Sequence, residues 1–319
     1  MQKGPGGAAF FALGALCRRS GPYPWGRKAG FSEYYSSRML WLLFFFGILL
    51  AWGVRRFKPL YSGAHMEKLK GFRSSLAADR RRVVICLGDS LTRGNAGFDY
   101  VEGLARRLEP SGYTVMNAGV NGELAWNLLQ RVDDLVVAEP AWVIVWVGTN
   151  DARACEDQAE AAQYVRRMKL PQTPDLDFFR DNYARLLDRL EKIPGVKVAV
   201  LTPPPLGERG GAPVDQVQEE VSDFIDEQAA RRGLHCLPMG RLFRERLLAD
   251  PSESAPIYSA KASSRLFMKA VFYHYLLGWN WDRVSSRHQM RLLTDMIHLN
   301  ERAGTMVVDR VEELVRAHS

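Results

Sequence analysis

A chain of 319 residues that is 47% hydrophobic and 25% charged has the composition of a folded protein, not a disordered one. Its net charge of +7 gathers near the N-terminus, and no stripe of basic and aromatic residues marks a nucleic-acid site. Cys17, Cys86, Cys155 and Cys236 are widely spaced, which excludes a CxxC zinc site or a dense disulfide framework.

Residues 1–38 carry Lys3, Arg18, Arg19, Arg27, Lys28 and Arg38 against Glu33. This acid-poor, basic composition suits a disordered or targeting segment, a mitochondrial transit peptide among the choices. Residues 39–54 (MLWLLFFFGILLAWGV) hold no charge and are bracketed by Arg38 and Arg55-Arg56. As a helix they would span roughly 24 Å, a little short of a hydrocarbon core of about 30 Å. Snorkelling arginines and the aromatics Tyr34, Tyr35, Trp41 and Trp52 suit the two interfaces, so a transmembrane or anchor helix is expected. Positive charge is similar on both sides and leaves topology open. Residues 55–81 read as a stem, broken by Pro59, Gly63 and Gly71. The expected location is a membrane, with a mitochondrial or endomembrane compartment both open. The lack of any Asn-X-Ser/Thr site leans towards a non-secretory compartment.

From residue 82 short β-rich runs alternate with helical stretches. Strands are expected at Val83–Leu87, Tyr113–Met116, Trp142–Val147, Val196–Leu201 and Leu234–Leu237. Helices are expected at Tyr100–Leu108, Leu124–Val137, Phe178–Leu190, Val214–Arg231, Arg241–Leu248 and over 300–317. Such alternation means a mostly parallel sheet between two helical layers, with ligands at the C-terminal strand ends. Cys86 and Cys236 lie in apolar runs and are expected as inert core residues.

The polar residues that could do chemistry follow those strands. The first strand ends in Gly88-Asp89-Ser90-Leu91, the second runs into Asn117-Ala-Gly-Val-Asn-Gly122, and the third ends in Gly148-Thr-Asn150-Asp151. Each alone is equally an ordinary turn or helix cap. A serine hydroxyl needs a base, and Asp295-Met-Ile-His298, before the last helix, has a spacing that lets a carboxylate orient an imidazole.

Gly88-Asp89-Ser90-Leu91, Gly122, Gly148-Thr-Asn150-Asp151 and Asp295-Met-Ile-His298 occur in the order of the four motif blocks of the SGNH/GDSL hydrolase superfamily, which residues 82–319 resemble. The resemblance implies a flavodoxin-like, three-layer α/β/α fold with a mostly parallel five-stranded sheet. It implies Ser90 as nucleophile, His298 as base and then acid, and Asp295 as its orienting group. It implies an oxyanion hole from the Ser90 and Gly122 N–H groups and the Asn150 side chain, with no cofactor or metal. Glu123 stands where many relatives carry Asp.

The superfamily includes lysophospholipases, thioesterases, carbohydrate O-acetylesterases and acyltransferases, and fold does not choose among them. The aromatic stretch Ser263–Trp281 is either a core helix or an apolar wall beside the site. With the anchor, it favours an acyl or lipid ester as substrate. A glycan O-acetylesterase or acyltransferase and an inactive binding protein are the alternatives.

Overall fold

The computed structural model describes residues 53–55 and 82–319. The basic segment 1–38, nearly all of the expected anchor 39–54 and nearly all of the stem 55–81 lie outside the described residues. Among the described residues no helix is long and apolar enough to cross a membrane.

In chain order the elements are β1 (Arg82–Gly88), α1 (Ser90–Arg93), α2 (Tyr100–Leu108), β2 (Tyr113–Gly119), α3 (Ala125–Arg131) and β3 (Trp142–Trp146). Then come α4 (Thr149–Glu156), α5 (Gln158–Met168), α6 (Leu176–Leu190), β4 (Lys197–Leu201), α7 (Val214–Arg232) and β5 (His235–Leu237). The chain closes with α8 (Met239–Ala249), α9 (Ala260–Val271), α10 (Trp281–Arg287) and α11 (Glu301–Ala317).

The sheet is parallel throughout, in the order β2-β1-β3-β4-β5. Val83–Leu87 and every residue of β3 are buried, as strands covered on both faces must be. Truncating one of these side chains to Ala would cost about 2–5 kcal/mol in lost burial and cavity. α2 packs with α11, while α3 packs with α6 and α4 with α7. These are the two helical layers. Asp99 caps α2 by accepting from Glu102 N, and Asn300 caps α11 by accepting from Ala303 N, each satisfying an orphan helix donor.

Strand order reverses at β1, so β2 and β3 leave it on opposite sides, and a crevice opens between their connections. Register then levels the strand ends. Gly88 pairs with Gly119 of β2 and with Trp146 of β3. The turns carrying Ser90, Gly122 and Asn150 therefore leave one edge of the sheet.

The expected strands all form. The expected helix Leu124–Val137 does not run through. It is α at Ala125–Arg131 and 3-10 at Val132–Ala138. Cys86 is a core residue whose thiol burial pushes up to about 12. Cys236 is not. It is half-buried and its thiol donates to Asp226 Oδ1 at 2.8 Å, because the short edge strand β5 is covered less completely. The Ser263–Trp281 stretch divides between two cores, with Leu266 packed against the main one. Ala270, Val271, Tyr275, Trp281 and Val284 form a satellite cluster, and Phe98 packs against both clusters.

Candidate active site

β1 meets α1 at Gly88, where an added Cβ would lie 2.3 Å from both Thr92 Oγ1 and Trp146 O. Only glycine lets the chain pass this closely between α1 and β3. Asp89 follows, fully buried, and its carboxylate accepts from Leu91 N at 2.9 Å. That cap starts α1 and leaves Ser90, half-buried, at its first position.

The loop before α11 is a tight hairpin. Leu293 bridges Leu299, and Thr294 N donates to His298 O at 2.7 Å. Inside it Asp295 Oδ1 accepts from Ile297 N and His298 N at 3.1 and 2.9 Å. Met296 is held at a φ of +77°, a left-handed conformation that costs a non-glycine residue about 1 kcal/mol or more. The hairpin puts the His298 ring over its own turn. Nδ1 lies 2.7 Å from Asp295 Oδ2, and Nε2 lies 2.9 Å from Ser90 Oγ. Burial alone would raise the Asp295 carboxyl. The charge of His298 and hydrogen bonds from its ring and from two backbone N–H groups outweigh burial and hold the carboxyl below its ordinary range. An ionised Asp295 keeps the proton on Nδ1 and leaves Nε2 as an acceptor for the Ser90 hydroxyl.

The three residues expected to form a relay are thus brought together across 208 residues of chain. A model of the GDSL-like lipase/acylhydrolase family matches residues 86–302, from β1 through the Asp-His hairpin. The chain belongs to this family. As a GDSL hydrolase it acts on ester bonds. No curated protein matches the sequence. Among solved structures, an acetyl xylan esterase, AlAXEase, is similar at 21% identity over 73% of this chain and 99% of its own, with a TM-score of 0.49. A catalytic mutant of Axe2, an acetylxylan esterase from Geobacillus stearothermophilus, is similar at 15% identity over 72% of this chain and 92% of its own, with a TM-score of 0.47. So is LAE5, an alpha/beta hydrolase from the metagenome of Lake Arreo, Spain, at 18% identity over 73% and 93%, also with a TM-score of 0.47.

In this GDSL hydrolase the expected oxyanion donors differ from one another. The Ser90 and Gly122 N–H groups have no intramolecular acceptor among the described residues. Gly122 sits at a φ of +81°, where a side chain would be strained. Asn150 is already engaged. Its Nδ2 donates to Glu123 O at 3.0 Å and to Asp89 Oδ2 at 3.2 Å, and its Oδ1 accepts from Tyr164 at 2.7 Å. An amide nitrogen has two hydrogens, and both have acceptors here.

Glu123 matters more than its sequence context implies. It accepts from Arg131 Nε at 2.9 Å and Nη2 at 2.6 Å. The same Nη2 reaches Ala118 O at 2.8 Å and Gly88 O at 3.3 Å. One guanidinium therefore ties the ends of β1 and β2 to the Gly122 loop. Deeper in, Asp151 accepts from Ala125 N at 3.1 Å and holds α4 against the start of α3. Burial raises the carboxyls of Asp89 and Asp151, each to about 7. Arg131, Tyr164 and the Arg153–Glu160 pair, which also takes in Tyr258, carry no motif, and sequence reasoning missed them. The one available signal was the departure at Glu123.

Proposed function

We propose that this GDSL hydrolase cleaves carboxylic esters with an apolar acyl group through an acyl-enzyme on Ser90. The observation that carries the reading is the unbroken contact from Asp295 to His298 Nδ1 and from His298 Nε2 to Ser90 Oγ. Ser90 Oγ attacks the ester carbonyl as Nε2 takes its proton, and Asp295 stabilises the imidazolium. The carbonyl oxygen, now negative, accepts from the Ser90 and Gly122 N–H groups. Asn150 Nδ2 becomes a third donor by giving up its longer bond, to Asp89. Each donor contributes about 3 kcal/mol to the transition state. The C–O bond breaks and His298 returns the proton to the leaving alcohol. Water then adds to the acyl-enzyme by the same route, releasing the acid and restoring Ser90.

An apolar acyl chain is supported by the Phe267 ring, 6.0 Å from the His298 ring and packed with the satellite cluster at the C-terminal end of α9. Residues 39–54 are proposed as the anchor of residues 82–319 to a mitochondrial or endomembrane surface, with 55–81 as stem. Carbonate extraction of membranes tests the anchor. The full chain should stay in the pellet, and release by salt alone would overturn it.

The test of function is an ester panel graded in acyl length, run on the wild type and Ser90→Ala, with acetylated xylo-oligosaccharide as one member. Rates should rise with acyl length and vanish in the variant. Cleavage confined to the acetylated sugar would favour the glycan O-acetylesterase reading. Product formed on an added acceptor alcohol would favour a transferase. Fluorophosphonate labelling of Ser90 would exclude an inactive scaffold.

A further inference from the structure

α9 lies against the catalytic hairpin. Ser263, buried, donates its hydroxyl to Asp295 O at 3.0 Å, and Phe267 sits beside His298. Just beyond, Tyr275 donates to Asn95 O at 2.6 Å. Among the described residues the other face of this helix has no such cover. Lys261, Arg265, Met268 and Phe272 follow at spacings of four, three and four, so they form one stripe, and all are exposed. Met268 is 64% exposed, Phe272, which opens a π-helical turn at Phe272–Leu276, is 47% exposed, and Leu277 just past it 49%. A stripe of large apolar side chains in water marks an interaction surface more often than chance exposure.

Charge identifies the occupant. Residues 260–291 hold six Lys or Arg, and Asp282 is their single acid. Lys261, Arg265 and Lys269, which border the apolar stripe, have no carboxylate partner among the described residues. Apolar side chains bordered by cations of one sign fit an anionic lipid surface. There the chains enter the headgroup boundary and the cations meet phosphates. A protein partner would need a matching acidic, apolar groove, and no feature of this stripe demands one.

We propose that the exposed face of α9 and of the π-helical turn that continues it, from Lys261 to Leu277, docks on a bilayer containing anionic phospholipid. This inference rests on the reading of the site as one for apolar acyl esters and adds the route by which they arrive. One helix separates the docking face from His298, so the bilayer lies about 10 Å from the nucleophile. A lipid ester then needs to rise only part of its length out of the membrane.

The experiment uses the full chain in vesicles of phosphatidylcholine with or without phosphatidylserine. An environment-sensitive fluorophore is attached at Phe272→Cys, with Cys17, Cys155 and Cys236 changed to Ser. Buried Cys86 stays. A second labelled protein carries the probe at Asp181→Cys, on α6. The probe at 272 should shift to the blue and be quenched by spin-labelled lipid on phosphatidylserine vesicles, and the probe at 181 should not. Lys261→Gln or Arg265→Gln should each lower the docked-to-free ratio about fivefold. Reduced hydrogen exchange over 260–277 in unlabelled protein on the same vesicles gives an independent readout. Equal solvent exposure of the two probes, with unchanged exchange, overturns the proposal. Docking by these measures without cleavage of a vesicle-borne lipid ester upholds the surface and overturns the apolar-acyl reading.

Discussion

Tyr164 donates its hydroxyl to Asn150 Oδ1 at 2.7 Å, which fixes which way round the Asn150 amide lies. With the oxygen held by Tyr164, the nitrogen faces Asp89 and Glu123 O. A flipped amide would present an oxygen to two acceptors. Tyr164→Phe should therefore lower kcat about tenfold with little change in KM, since the donor matters only as charge develops. Steady-state kinetics would show it. The buried Oδ1 left without a partner should also cost about 1–3 kcal/mol of stability, read as a lower Tm. An unchanged kcat would mean that Asp89 and Glu123 hold the amide unaided.

Asp295→Asn is the sharper test of the relay. Asn keeps an oxygen for the Ile297 and His298 N–H groups, so the hairpin should survive. What it loses is the negative charge that sets the His298 tautomer and steadies the imidazolium. kcat should fall by about 10³–10⁴, with fluorophosphonate labelling of Ser90 slowed in parallel. Near wild-type turnover in the variant would remove Asp295 from the mechanism.

Arg131 and Glu123 are both mostly buried, and each is the other's charge partner. Removing one strands the other, which in a buried pair costs about 3–5 kcal/mol. Arg131→Met should be destabilising by that order in a denaturant melt. Adding Glu123→Gln should recover part of the loss, because no buried charge is then left unpaired. Strict additivity of the two changes would show that Arg131 acts mainly through the Gly88 and Ala118 carbonyls.

These three pairs also mark where sequence reading stops. Ser90, Asp295 and His298 were singled out because their blocks fall in the order of the SGNH/GDSL motifs, each after an apolar run or before the last helix. Alone, each block was equally an ordinary turn or cap. Gly122 came with the same resemblance, and its positive φ, which excludes most side chains, is what the structure adds. Tyr164 was not legible, because no motif marks it and it comes from α5, to which the sequence assigned no element. Only the fold carries its hydroxyl to Asn150. Glu123 and Arg131 are eight residues apart across a loop and a helix start, a spacing with no local geometric meaning. The break after Arg131 was equally hidden, since Val132 to Ala138 continues the apolar content of a helix while its backbone tightens. The stretch 263–281 left two readings open because aromatic content looks the same in a core and on a wall. Exposure of Met268 and Phe272 shows only that one face of the stretch is not core.

Asp151 gives a stability signature that needs no substrate. Its carboxyl is fully buried, and burial raises it from 3.8 to about 7, while Ala125 N and the nearby Asp89 pull in opposite directions. The folded protein therefore keeps a proton that the unfolded chain has already lost anywhere between those two values. Where the native state binds more protons, stability falls as pH rises. The contribution of Asp151 is complete below about pH 4 and is lost as pH passes through about 7. Asp151→Asn has no proton to lose and keeps an oxygen for Ala125 N. Its Tm should match or trail the wild type near pH 4, overtake it through the window, and lead by a constant margin above about pH 8. In unfolding free energy that lead should be on the order of 4 kcal/mol, given about 1.4 kcal/mol for each pH unit between the two values. Thermal melts at intervals across the range measure it directly. A wild-type protein that gains on the variant as pH rises would mean that Asp151 is ionised in the fold, held by charges other than those that surround it here.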